Sequence, residues 1–575
     1  METVDKIKIG KLLEEVALLL ELHGENQFRV RAYRNAARIV QRLQVDLAQL
    51  AADGELEALP GIGKGLAENI REVLNTGNLS LLEELRAGFP DGFLDLLKIQ
   101  GLGPRKVRQL QEQLGISNIG ELEYACQENR LLGLAGFGAK TQENVLAGIA
   151  RFRQYQGHFL LPEVRTVADH MLRLLQGAGC SQVAIAGDLR RCLETIDSLD
   201  LVAVATDATP LLEALRDSAE TSRELDDEAG SKSFLLSNGL LVRLWFVPAE
   251  DFTFTLWQKT GSSEHLTQMR EQAAEGSLEI GDAGLYRNGE KLPCDTEEEL
   301  YGHFGLPYIP PELREGRGEV ALAAAEKLPQ LVEFRDIKGI FHVHSTASDG
   351  TASLEELLAA AGERGWKYLG ICDHSKSAFY ANGLDEKRVR EQWKQIDALN
   401  ASQSEVRLLK GIESDILADG RLDYADEVLA EFDFVIASIH SSFRLSKEEQ
   451  TQRLLTALDN PYVSILGHVS GRLLLARDPY PLDMEAVLEK VAQRGVVLEL
   501  NANPHRLDID WRWLKRVEEL GIRIAINPDA HSIQGLDDVR FGIDCARKGG
   551  LTRDSVVNCL DLDQVWCQAL AGKRN

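Results

Sequence analysis

No apolar run in this chain approaches the ~20 residues needed to cross a bilayer, and its 44% hydrophobic content is that of ordinary globular domains. A membrane partner is therefore not expected. The opening METVDKIKIGKLLEEV has no basic patch followed by an apolar segment, so no secretory leader is expected. The eight cysteines (Cys126, Cys180, Cys192, Cys294, Cys372, Cys545, Cys559, Cys567) contain no C-x-x-C pair. That argues against a disulfide framework and a thiolate zinc site, and for a reducing cytoplasm. Basic residues are scarce as well: 64 Lys and Arg against 90 Asp and Glu leave a net charge of -26. Affinity for a phosphate backbone comes mostly from Lys and Arg, so any nucleic-acid contact has to be local.

What is present is length. A chain of 575 residues exceeds one hydrophobic core and implies three or more domains. The first 150 residues read as short amphipathic helices broken by glycine turns, with no strand pattern. Three turns there resemble one another: LPGIGKGLAENI, IQGLGPRKVRQL and LAGFGAKTQENV. Residues 155–315 mix helices with strand-like runs such as DLVAVAT and LLVRLWFV, an α+β pattern, and acidity is heaviest in the middle third. From Gly339 onward seven apolar runs (FHV, YLGIC, LLKGI, FVIASI, VSIL, VVLEL, RIAIN) alternate with amphipathic helices, which predicts a seven-unit β/α barrel.

Six of those runs carry a metal-type ligand at or near their ends, and VVLEL does not. The ligands are His342, His344 and Asp349; His374; Glu413; His440; His468; and Asp529 with His531. Loops at the C-terminal ends of barrel strands converge on one rim, so residues far apart in sequence are predicted to share a pocket. Imidazole and carboxylate donors suit zinc, manganese or iron, and nine are enough for two or three ions. Arg472, Asn501, Asn503 and Arg506 are candidates for contact with substrate phosphate, a purely structural role being the alternative. Cys372, His505 and the isolated His23, His158, His170, His265 and His303 read as non-ligands.

This arrangement resembles the PHP (polymerase and histidinol phosphatase) family of trinuclear phosphoesterases over Gly339 to about Asn575. One departure is Ile340, where the family usually places an acidic residue. The resemblance implies that bound cations activate water for attack on a phosphate ester, with no protein nucleophile.

Each G-x-G turn (Gly61 and Gly63, Gly101 and Gly103, Gly136 and Gly138) precedes a helix, so backbone N–H groups at the helix start can face one phosphate. Lys64, Arg105, Lys106, Arg108 and Lys140 supply charge. These turns resemble helix-hairpin-helix motifs, which grip DNA backbone without reading sequence; helix corners are the alternative. Arg31, Arg34 and Arg38 form a basic helix face or merely a solvated one.

Together these elements resemble a bacterial family X DNA polymerase with a C-terminal PHP domain. That family marks its palm with a GSxRRG turn, a D-x-D pair and a third Asp, which together hold two magnesium ions. Here the turn reads GDLRRC, with Asp188 in place of Ser. The pair reads Ser198 and Asp200, and the third position is Arg243. Asp197 cannot substitute, because an odd separation from Asp200 on a strand puts the two on opposite faces. The QKTGSSEH segment keeps Thr260, Gly261 and Ser262. The lyase lysine of animal relatives aligns with Asn69, which removes the Schiff-base amine.

The expected fold is multidomain: an all-α helix-hairpin-helix N-terminal region, an α+β nucleotidyltransferase-like palm and a C-terminal (β/α)7 PHP barrel. The boundaries are 1–80 lyase-type, 81–153 fingers-like, 154–252 palm, 253–315 thumb-like, 316–338 linker and 339–575 PHP. The expected function is a metal-dependent 3′-5′ exonuclease of DNA repair. It would act as a cytoplasmic, nucleoid-associated monomer on gapped, nicked or end-containing DNA, with Asp200 alone too little to hold palm magnesium. The alternatives are a working bifunctional polymerase, a small-molecule phosphatase and a non-catalytic DNA-end-binding protein.

Overall fold

The computed structural model describes residues 6–568 apart from 44–46, 91, 128–129, 229–230 and 404; residues 1–5 and 569–575, at the ends of the expected first and last domains, lie outside the described residues. The chain divides into two compact units, residues 1–156 and 157–575.

The first unit is helical throughout its described residues. Its apolar periodicity becomes one core, in which Ile9, Leu13, Val16 and Leu20 of Lys6–Leu22 meet Val30, Ala37 and Val40 of Gln27–Arg42. Each glycine turn leads into a helix: Lys64–Thr76, Pro104–Leu114 and Ala139–Tyr155.

In the second unit, five strands form the palm sheet in the order Val183–Ala186, Ser198–Val204, Leu241–Val247, Ser231–Leu236, Thr221–Glu228. Ser198–Val204 runs parallel to Leu241–Val247 with Asp200 opposite Arg243. Two helices (Phe252–Thr260 and Ser263–Glu275), a three-stranded antiparallel sheet and helix Glu297–His303 follow.

All seven predicted barrel runs are strands: Gly339–Val343, Tyr368–Ile371, Arg407–Lys410, Ile436–Ser438, Ile465–Leu466, Val497–Asn501 and Ile524–Asn527. Every pairing among them is parallel. The run LLKGI carries the ladder on to its ligand: Gly411 N donates to Ile371 O at 2.9 Å and Glu413 N to Asp373 O at 3.0 Å, and Glu413–Asp415 pairs with Ile436–Ser438. Glycine is needed at 411, where a Cβ would stand 2.2 Å from the Phe434 ring and 2.7 Å from the Ile371 carbonyl oxygen. Last and first strands meet through a parallel bridge between Val343 and Ala530, and Phe341 N donates to Asn527 Oδ1 at 3.0 Å. Ile340, the family departure, is fully buried in this core.

Palm and barrel share one contiguous apolar core. Polar ties reinforce it: Arg165 to Asp544 at 2.8 Å, Arg547 to Glu312 at 2.7 Å, and Trp511 Nε1 donating to Glu194 at 3.0 Å.

Candidate functional site

His342 ends inside the first barrel strand and His344 lies just past it; two-residue spacing puts both rings on one face, centroids 5.1 Å apart. His374 follows the second strand and bridges in parallel to Glu413. His440, His468, Asp529 and His531 each stand just beyond a later strand.

Glu413 is the hub of this rim. Its Oε1 lies 3.0 Å from His468 Nε2, 3.2 Å from His440 Nε2 and 3.4 Å from His342 Nε2. Its Oε2 lies 3.0 Å from His374 Nδ1 and 3.7 Å from His344 Nε2. Asp529 Oδ1 is 3.1 Å from His344 Nε2, and Asp349 lies 3.4 Å from His531 Nε2 and 3.6 Å from His374 Nε2. All nine sequence candidates therefore fall in one cluster. It is deeply buried at His342, His468 and Glu413 and opens to solvent at Asp349 and His531.

Three sets of donor atoms each lie within 4.8 Å of one another: His344, Asp349, His374 and His531; His342, His344 and Asp529; His374, Glu413 and His440. The donor chemistry fits divalent cations. Buried Nδ1 of His344 and Nδ1 of His468 have no hydrogen-bond partner, and an unpaired buried polar atom is costly unless something else satisfies it.

The electrostatics point the same way. Burial opposes charge on His342, yet the carboxylates of Glu499, Asp529 and Glu413 outweigh it and hold the ring well above its ordinary pKa. His374 and His440 are likewise desolvated, but Glu413 and its acidic neighbours raise them to about 10 and about 9. His344 goes the other way, down to about 4, through burial and the neighbouring His531. Burial disfavours the carboxylates of Glu413 and Asp529, but the histidines around them draw both well below the usual range. Carboxylates and imidazoles thus hold one another's charge in this pocket.

Sequence reading missed Glu499 and Asp415, which aim these ligands, and named Asn501 as a candidate phosphate contact. Glu499, inside the one run assigned no ligand, is fully buried, and its Oε1 accepts from His342 Nδ1 at 2.7 Å. Because burial is overcome and its pKa lies below the ordinary value, it acts as acceptor for Nδ1–H, which fixes the ring with Nε2 facing Glu413 and Asp529. Its Oε2 accepts the His468 backbone N–H at 2.9 Å. Asp415 serves His440 the same way, Nδ1 to Oδ1 2.6 Å. Asn501 donates to Asp529 Oδ2 at 3.1 Å and to Glu499 at 3.3 Å. The signal for Glu499 was an acid at an inward position of an otherwise apolar strand.

The phosphate candidates divide. Arg506 Nε stands 3.7 Å from Asp529 Oδ2 at the edge of the cluster. Arg472 is corrected to its structural alternative: it is buried, and its donors go to the carbonyls of Arg506 and Leu507 and to Asp510 at 2.8 Å. Asn503 turns its Oδ1 to His505 N, from which it accepts at 3.0 Å.

The three hairpins have one geometry. Gly61, Gly101 and Gly136 have φ of 90°, 90° and 84°, which only glycine adopts without strain. The second glycines cap their helices with φ and ψ of -83° and 172° at Gly63, -90° and 172° at Gly103, and -87° and 174° at Gly138. That conformation suits any residue, and a Cβ at any of the three would meet nothing within 4 Å. The fold does not require glycine there, and the helix starts stand open. Lys64 and Lys140 are exposed at the helix starts; Arg105, also exposed, lies 3.5 Å from Glu21, while Lys106 donates to the Gly101 carbonyl at 3.1 Å. Arg34 pairs with Glu21, and Asn69 donates to Tyr33 at 2.7 Å.

In the palm, Ser198 Oγ lies 3.4 Å and Arg243 Nη1 3.6 Å from Asp200 Oδ1. Asp197 lies before the strand, is largely exposed and pairs with His158. The paired arginines of the GDLRRC turn are fully engaged inside the protein. Arg190 holds Glu297 at 2.5 Å and Thr260 at 2.8 Å, and Arg191 holds Glu315 at 2.8 Å, the Thr260 carbonyl at 2.7 Å and Asp188 at 2.6 Å. The charge of Asp188, which stands in place of the family's Ser, is thus matched by Arg191.

Comparison with known proteins places these parts. Residues 5–79 match a helix-hairpin-helix domain, 93–151 a SAM-like helix-hairpin-helix tandem, 255–315 the DNA polymerase beta thumb and 341–503 the PHP domain. The barrel portion is 31% identical over 163 residues to a probable phosphatase of a Thermoanaerobacter species, covering 27% of this chain and 64% of that one. A probable phosphatase of Syntrophotalea carbinolica is 26% identical over 227 residues, 38% of this chain and 90% of that one. The whole chain is similar to the DNA polymerase/3′-5′ exonuclease PolX of Bacillus subtilis, 38% identical over 568 residues that cover 97% of this chain and 98% of the relative. With helix-hairpin-helix, polymerase beta thumb and PHP segments in the same order along nearly the full length, the chain belongs to the PolX family of family X DNA polymerases.

Proposed function

We propose that this protein hydrolyses phosphodiesters at DNA 3′ ends with the barrel site, held on DNA by its hairpins, while the palm performs no synthesis. The observation that carries the reading is the convergence of nine imidazole and carboxylate ligands around Glu413, with buried donor atoms left unpaired. Two or three manganese, zinc or iron ions would be held by His342, His344, Asp349, His374, Glu413, His440, His468, Asp529 and His531. When bound, such ions activate water and neutralise charge developing on the phosphate.

The protein's own groups set that stage. Glu499 and Asp415 fix the tautomers of His342 and His440, and Arg506 offers a cation to a phosphate at the edge of the cluster. Glycines 63, 103 and 138 leave open helix starts for backbone phosphates, which suits gapped, nicked or end-containing DNA without sequence preference. A cytoplasmic, nucleoid-associated monomer fits these traits.

The test is Mn²⁺-dependent shortening of a 5′-labelled oligonucleotide. His344→Ala and Asp529→Ala are expected to lower the rate by about a thousandfold or more while leaving DNA affinity nearly unchanged, since the hairpins belong to the other compact unit. Undiminished hydrolysis by these variants overturns the assignment. Faster turnover of p-nitrophenyl phosphate than of DNA favours the small-molecule phosphatase reading, which the phosphatase relatives of the barrel support.

A further inference from the structure

Phe379 is 88% exposed, the highest value among the exposed large hydrophobics of the described residues. Leaving a phenylalanine in water forgoes the gain of burying it, so a fully displayed ring is informative where the backbone beneath it is fixed. It is fixed here. The neighbours Ala378 and Ala381 are buried, and Ala378 N donates to Ser375 O at 3.1 Å, Ala381 N to Ala378 O at 3.0 Å and Gly383 N to Ala378 O at 3.1 Å. A Cβ at Gly383 would stand 1.9 Å from the Ser375 carbonyl oxygen, so glycine is what lets the loop close.

The loop belongs to the rim of the metal-ligand cluster. It leaves directly from His374, and Leu384 N returns to His374 O at 2.8 Å. Ser377 Oγ donates to Asp415, the carboxylate that orients His440, at 2.7 Å. On the other side, Asn382 Nδ2 donates to the Ala347 carbonyl at 3.2 Å, and Arg388 ties Ala347, Asn382 and Gly383 together through their carbonyls, next to Asp349. A hydrogen-bonded loop joined to three ligand-bearing segments thus carries a solvent-facing aromatic ring.

We propose that Phe379 is a stacking platform for a base of single-stranded DNA beside the phosphate being cut. This rests on the DNA-hydrolysis reading above. Stacking on an aromatic face tolerates every base and needs no hydrogen-bond code, which suits an enzyme that removes nucleotides in any order. It also supplies substrate affinity that does not depend on cations, in a chain of net charge -26.

The experiment is steady-state kinetics of the full-length protein with Mn²⁺ on two 5′-labelled 12-mers, one ordinary and one with abasic residues at its last two 3′ positions. Phe379→Ala is expected to raise KM on the ordinary substrate by about tenfold with kcat little changed, and to leave KM on the abasic-ended substrate unaltered. Phe379→Trp should retain the parent KM, and Phe379→Leu should behave like Phe379→Ala, with equal metal content in all four proteins. Parent-like kinetics of Phe379→Ala on the ordinary substrate overturn the proposal. So does an equal loss on both substrates, which assigns Phe379 a structural role. Failure of the parent to shorten either oligonucleotide sinks the hydrolysis reading itself and the stacking site with it, an outcome distinct from the first two.

Discussion

Arg243 Nη1 stands 3.6 Å from Asp200 Oδ1, directly across the parallel pairing of their strands. A guanidinium supplied by the chain thus occupies the surroundings in which a polymerase palm gathers magnesium. The ion pair is incomplete compensation. Burial pushes the Asp200 carboxyl up to about 6, with Arg243 pulling it down and Asp188 pushing further up. Ser198 and Arg191 lower it modestly.

A pH-dependent stability difference follows. The folded pKa of Asp200, about 6, lies above its ordinary 3.8, so the folded chain holds this proton more tightly than the unfolded one. The associated stability is complete below the lower value and lost as pH rises through the higher one. Asp200→Asn removes that loss. The variant is expected to melt above the parent at pH 8, by at most about 3 kcal/mol of stability, and to show no gain at pH 4 in a thermal scan.

Metal stoichiometry separates the ligands. His344 belongs to two of the three donor sets and His440 to one. After reconstitution with Mn²⁺, elemental analysis should give more than one ion per parent chain, a loss of about one ion in His440→Ala and a larger loss in His344→Ala. Equal content in all three contradicts the shared-ligand geometry.

Glu499 provides a test away from the ligands themselves. Removing an orienting carboxylate typically weakens metal binding about 10- to 100-fold, and Glu499→Ala is expected in that range by competition with a chromogenic chelator. Glu499→Gln, which keeps an acceptor for His342 Nδ1, should lose less. Identical affinities for the two variants would show that the hydrogen bond does not matter.

The second glycines of the hairpins are spared by the fold. Gly63→Val, Gly103→Val and Gly138→Val place side chains in open space at unstrained dihedrals, so stability should change by about 1 kcal/mol or less. Fluorescence anisotropy with gapped DNA should show the Kd of the triple variant raised about tenfold or more. Unchanged affinity would reduce the turns to helix corners.

Much of this was legible in the sequence, because β/α periodicity fixes where strands end and ligands at strand ends meet on one rim. Glu499 was not legible: it lies inside Val497–Asn501, where its inward direction and the His342 it meets depend on sheet register. Arg472 misled for a related reason. A basic residue after GHVSG resembles a phosphate contact, but its acceptors lie 34 or more positions away, at Arg506, Leu507 and Asp510. The palm departures at Ser198 and Arg243 were read from single positions. That Arg190 and Arg191 are spent on Thr260, Glu297 and Glu315 depended on contacts with the segments that follow the palm.

The most direct measurement is incubation of a 5′-labelled primer on a gapped template with dNTPs and Mn²⁺, comparing the parent with His344→Ala. The account predicts that the parent shortens the primer and never lengthens it, and that the His344→Ala primer stays at its starting length. Products longer than the primer from the otherwise unmodified His344→Ala protein would contradict it, returning Asp200 and its neighbours to a working polymerase site.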